Sequence, residues 1–171
     1  SRRTLNSSGA RTRSEIRTES VATFDGSKFA SASALEREFD PNTALLVEVR
    51  NAEATVTLDG HTFTGTGVAT FSRDANGQLT RTLEKQTHRV EKGRDLVVRS
   101  EIRTDSVTTY DNSKFASASA LQRRFNPTTL LLEAVENIEA TVTLDNLTAR
   151  GVGVVTLSKD MFNQTSESFE R

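Results

Sequence analysis

Residues 27–39 read SKFASASALEREF, and residues 113–125 read SKFASASALQRRF. Phe29, Ala32, Leu35 and Phe39 fall near one face at helical spacing, Ser27 is placed to cap the start, and Glu36, Arg37 and Glu38 flank the apolar side. Asp40-Pro41 and Asn126-Pro127 follow, and the residue before a proline is pushed out of the helical region. The stretch is therefore expected to be a helix that covers a sheet.

The match is not confined to this stretch. Residues 14–85 are written again at 100–171, offset by 86 positions without a gap, and about 42 of the 72 aligned residues are identical. Comparing the copies sorts positions by what both retain. Each opens with a Thr/Val/Ile-rich segment, SEIRTESVATFD (14–25) or SEIRTDSVTTYD (100–111), which reads as a strand ending in a turn. In the second copy the strand starts earlier, because Leu96, Val97 and Val98 follow the turn-like Lys92-Gly93-Arg94.

After the proline, TALLVEVRN (43–51) and TLLLEAVEN (129–137) fit either a short helix or a strand. Glu133 replaces Val47 while Leu131, Leu132, Val135 and Ile138 keep a helical set, which favours a second short helix. Ala52, Ala54, Val56 and Leu58 then alternate with polar residues, as do Ile138, Ala140, Val142 and Leu144, giving a strand with one buried face. Asp59-Gly60 and Asp145-Asn146 suit a tight hairpin turn. The return strand keeps Gly65 and Gly67, matched by Gly151 and Gly153, which indicates a bulge, a bend or close packing against the helix. A last strand runs from Gln78 to about Val90 and, in the second copy, from Gln164 to Arg171.

The expected fold class is α+β: two tandem pseudo-symmetric repeats, each a curved antiparallel sheet (strand, one or two helices, three strands) with a helix on one face. The expected organisation is a basic arm at 1–13, repeat units at 14–85 and 100–171, and a connector at 86–99 that continues into a strand.

Composition narrows the function classes. The chain of 171 residues carries 22 basic and 23 acidic residues, intermixed, for a net charge of −1, so no field favours nucleic acid or an anionic membrane. Cysteine is absent, which removes disulfides and thiolate chemistry. No apolar run approaches the roughly 20 residues of a spanning helix, so membrane insertion is not expected. The segment SRRTLNSSGARTR (1–13) has four arginines and no acid. It reads as a basic arm, or as the remainder of an organelle-targeting peptide, which would place the protein in an organelle lumen or stroma.

No catalytic or cofactor motif accompanies the repeat. His61 becomes Leu147 in the second copy, and His88 lies between the copies, so neither is duplicated as a base would be. The shared carboxylates Asp25/Asp111, Asp59/Asp145 and Asp74/Asp160 fall in predicted turns, where Asp satisfies local backbone N–H groups; Glu53/Glu139 lies near a strand end. Glycosylation triplets begin at Asn6, Asn146 and Asn163, and the first copy lacks the latter two. No enzymatic activity, cofactor or metal is expected.

The nine identical residues SKFASASAL include Lys28, Ser31 and Ser33, with Lys114, Ser117 and Ser119 in the second copy, and core packing does not account for these six. They are the candidate assembly surface. The expected function is that of a non-enzymatic structural protein that associates with itself into an oligomer, sheet, shell or filament. The alternative is a small-ligand or carbohydrate-binding module with one pocket per repeat.

Overall fold

The computed structural model describes residues 2–5, 11–20 and 25–171. In chain order its strands are β1 (Arg2–Leu5), β2 (Arg11–Ser20), β3 (Lys28–Phe39), β4 (Leu46–Leu58), β5 (His61–Thr66), β6 (Val68–Arg73) and β7 (Leu79–Glu91). They continue as β8 (Arg94–Thr108), β9 (Lys114–Phe125), β10 (Leu132–Leu144), β11 (Leu147–Val152), β12 (Val154–Lys159) and β13 (Thr165–Glu170). All thirteen are linked by antiparallel ladders, and no helix occurs among the described residues. The α+β expectation is therefore overturned: the fold is all-β.

The reversal turns on β3. Residues 28–39 form a strand in which Ala30, Ala32 and Ala34 are 1–3% exposed, and Ser31 and Ser33 occupy the opposite face. Phe29, Ala32 and Leu35, adjacent on a helix, are split between two faces, and Phe29 is 40% exposed. A helical preference of less than about 1 kcal/mol per residue is weak against long-range pairing. Here β3 pairs with β2 from Phe29 to Glu38, and on its other side with β6 over 28–33 and β4 over 34–39. The second expected helix, over 43–51, is also a strand from Leu46 onward. Asp40 makes the preceding loop, its carboxylate accepting the N–H groups of Asn42 and Thr43.

What covers the sheet is a hairpin. Strand β4 pairs with β3 as far as Ala52, then leaves and pairs with β5 from Glu53 onward. The chain returns at Gly67, whose N–H donates to the Ala52 carbonyl, and β6 takes up the edge of β3 that β4 vacated. Ala54 and Val56 of the hairpin pack against Ala30, Ala32, Ala34, Ala69, Phe71 and Leu79 of the sheet. The second copy repeats this with Ala140, Val142 and Ala149 against Ala116, Ala118, Ala120, Val155 and Leu157. Asp59 (φ 49°) and Gly60 (φ 81°) make the turn.

Close packing at the glycines, expected against a helix, is against strands. Gly67 has φ +126°, and a Cβ there would lie 2.1 Å from the Glu84 carbonyl oxygen of β7; at Gly153 the same distance separates it from Glu170. Gly65 and Gly151 instead lie under the side chains of Leu83 and Phe169.

The lanes run β1, β2, β3, then β6 with β4, then β7, β8, β9, then β12 with β10, and last β13 beside β12. Residues 86–99 form the far end of the β7–β8 hairpin, with Lys92 and Gly93 in its turn at positive φ.

Gly67→Ala and Gly153→Ala are each expected to cost about 3 kcal/mol or more, the upper end for one substitution, because backbone must move. Gly65→Ala displaces only a leucine side chain and is expected to cost about 1–2 kcal/mol. Urea unfolding curves measure both, and equal losses at positions 65 and 67 would refute the assigned role of the return bend.

Candidate functional site

The six candidate residues do not form one surface. Lys28 shares the face of the buried alanines and reaches the hairpin turn, with Nζ 3.3 Å from Asp59 Oδ1, where Arg73 Nε also lies 3.1 Å from Asp59 Oδ2. Lys114 and Lys159 hold Asp145 in the same way at 3.5 and 3.3 Å. Retention of the lysine thus has a structural reason: it ties the tip of the covering hairpin to the sheet. These pairs are part-exposed, so each contributes modestly.

Ser31 and Ser117 lie on the opposite face, in a row of hydroxyl residues that crosses eight strands: Thr18, Ser31, Thr70, Thr82, Thr104, Ser117, Thr156 and Ser168. Thr82 and Thr104 share a hydrogen bond of 3.2 Å across the junction of the two copies. Ser33 and Ser119 sit one row over, beside Ile16 and Ile102 respectively. The serines are half-buried and join neighbouring strands into a continuous polar row.

Two clefts recur at equivalent places between hairpin and sheet. The first, about 210 Å³, is lined by Arg13, Glu15, Arg17 and Glu53. Its counterpart, about 250 Å³, is lined by Arg99, Glu101, Arg103 and Glu139. Arg13 pairs with Glu15 at 3.1 Å and donates to the Glu53 carbonyl, while Arg99 pairs with Glu101 at 2.5 Å. A larger cleft of about 620 Å³ lies where the copies meet, between Arg81, Asp105, Lys114 and Asp145, whose charges are engaged with one another.

Other carboxylates serve turns. Asp74 accepts from the N–H groups of Asn76 and Gln78, and Asp160 from those of Phe162 and Gln164. Asp111 is held below its ordinary range by the Ser113 hydroxyl and backbone N–H, and Asp40 by the N–H groups of Thr43 and Asn42. Among the described residues, no three of His, Cys, Asp or Glu gather as metal ligands would. His61 lies 6.3 Å from the Phe71 ring. The His88 side chain is 3% exposed, with Nδ1 2.7 Å from Asp95 and Nε2 3.4 Å from Asn51.

The most extensive contact between the copies is a strand ladder. Along the whole of β7, Leu79–Glu91 pairs with β8, and Val107 of β8 packs on the first core. Beyond Glu84, β7 runs beside β4, and Gln86 donates its N–H to Asn51 Oδ1 at 2.8 Å. This ladder was not readable in the sequence, because pairing partners tens of residues apart, such as Leu79 and Thr108, leave no local signature. No helix is long and apolar enough to cross a membrane. No family model matches the chain, and no characterised protein or solved structure is significantly similar to it.

Lys159, foremost, and Lys114 hold the Asp145 carboxyl below its ordinary value of 3.8. A carboxylate depressed in the folded chain takes up protons on unfolding, so its stabilisation is complete above that ordinary value and is lost as pH falls through the lowered folded one. The melting temperature is expected to drop between about pH 5 and about pH 3, and Asp145→Asn to lower it near neutrality while flattening that slope. Melting curves across pH check this, and an unchanged slope in the variant would count against the clamp.

Proposed function

We propose that this chain is a non-enzymatic structural protein that associates with itself through its sheet. The observation that carries the reading is the β7–β8 ladder, in which Leu79–Lys85 of the first copy pairs directly with Glu101–Thr108 of the second. A surface that already joins copy to copy within one chain is a template for joining molecules, and a head-to-tail contact of that kind propagates until it closes. The hydroxyl row across eight strands supports the same reading, since it makes the array one continuous face. Purified protein is expected to gain mass with concentration in light scattering and to show rings, ribbons or filaments in negative stain. A monodisperse monomer across salt and pH would overturn it.

A second reading is favoured by the twin Arg/Glu clefts, which recur at the same place in both copies as ligand sites in a duplicated module would. Their mixed charge suits a polyhydroxyl or zwitterionic small molecule. A thermal-shift screen with sugars and zwitterions tests it: binding is expected to raise the melting temperature, and the effect to vanish in Arg17→Ala/Arg103→Ala.

A further inference from the structure

The covering hairpins lie on one face of the sheet, and the other face is open. Seven residues of the hydroxyl row, from Thr18 to Thr156, run across it between two further rows. On one side stand Ile16, Ser33, Val68 and Glu84, and the order then repeats as Ile102, Ser119 and Val154. On the other stand Phe29, Ser72, Thr80, Ser106, Phe115 and Ser158. None of these twenty positions is buried, so among the described residues nothing lies over them.

The composition is the reverse of what a water-facing sheet carries. In a chain that is 26% charged, twenty surface positions would hold about five ionisable side chains. These hold one, Glu84, and Gln86 Nε2 donates to it at 3.3 Å. Charge on the same strands is placed on the hairpin side, where Arg17, Arg73, Arg81, Arg103, Asp105 and Lys159 stand. The open face instead exposes apolar groups, with Ile16 at 54% and Phe29 and Val154 each at 40%. Missing charge, with aromatic groups set among small polar ones, is the composition of the centre of a protein interface.

Sheet geometry gives the size. Seven strands about 4.8 Å apart and three rows about 6.8 Å apart span about 34 by 20 Å, or about 700 Å². A stable interface takes roughly 800 Å² and roughly 20–30 residues from each partner, so this face has the size for a protein partner. Its relief is self-complementary. Ile16 and Val68 flank Ser33, Ile102 and Val154 flank Ser119, and Phe115 stands between Ser106 and Ser158. Bulky groups on one such face meet small ones on an identical face turned about a two-fold axis.

We propose that two molecules stack through this open face, sheet on sheet about 10 Å apart, as a symmetric pair. The partner is a second copy of this chain, argued from the area, the missing charge and the alternating relief. The proposal names the face used in the self-association reading above, and it rests on that reading.

Sedimentation velocity over a concentration series, on the full chain, reads the outcome. Wild type is expected to dimerise reversibly, with a dissociation constant that changes less than about twofold between about 0.05 M and about 0.5 M salt, because the joint holds almost no charge. Ser72→Lys and Thr70→Lys, on the open face, are each expected to raise that constant about tenfold or more. Thr57→Lys adds the same charge to the outer side of the first hairpin and is expected to leave it unchanged. Far-UV circular dichroism is the folding control, and if Thr70→Lys fails to fold, the already exposed position 72 decides alone. Association that the open-face lysines leave intact, or that Thr57→Lys weakens equally, would overturn this face and leave the self-association reading standing. A wild type that stays monomeric would overturn both, and its retention on crystalline cellulose, lost in Ser72→Lys, would give the face to a hydroxylated polymer instead.

Discussion

The fold depends on one excursion of the chain. At Ala52 strand β4 leaves the sheet, and at Gly67 the chain rejoins it so tightly that a Cβ would meet the Glu84 carbonyl at 2.1 Å. The hairpin between these points is the lid of its own repeat. Because it is bound covalently at both ends and rests on an alanine row, a modest core suffices: Phe71, Leu79, Val155 and Leu157 are the largest fully buried side chains. The lysine and arginine contacts to Asp59, repeated by two lysines at Asp145, hold the tip of the lid down.

The same excursion makes the edge of β3 composite. One partner serves residues 34–39 and another serves 28–33, so the next lane, β7, must span both. Its first half pairs with β6 and its second runs beside β4, and the whole of it presents a long outer edge. That length lets β8 join it over thirteen positions. Val49 of β4, beside this lane, is 2% exposed.

Sequence reading recovered the period, the turns and the amphipathic hairpin, because each is written in local residue types: Asp-Gly at the turn, alternation through Ala54, Val56 and Leu58, and paired glycines on the return. It misread residues 27–39 as a helix. Phe29, Ala32 and Leu35 satisfy helical spacing and the Ser/Ala alternation satisfies a strand, and residues this small bury too little surface for either pattern to decide locally. The retained serines and lysines were noticed, but their roles were not separable, since adjacent residues on a strand face opposite ways.

What the sequence determined by itself is the duplication, the turn chemistry and which positions need small or apolar side chains, all properties of neighbours along the chain. Tertiary structure decided that SKFASASAL is a strand, that a hairpin covers the sheet, and that β7 and β8 join the two copies edge to edge. The reason is physical: a β-strand acquires its hydrogen bonds and its buried face from residues distant in sequence, so its identity is settled only when those partners are in place.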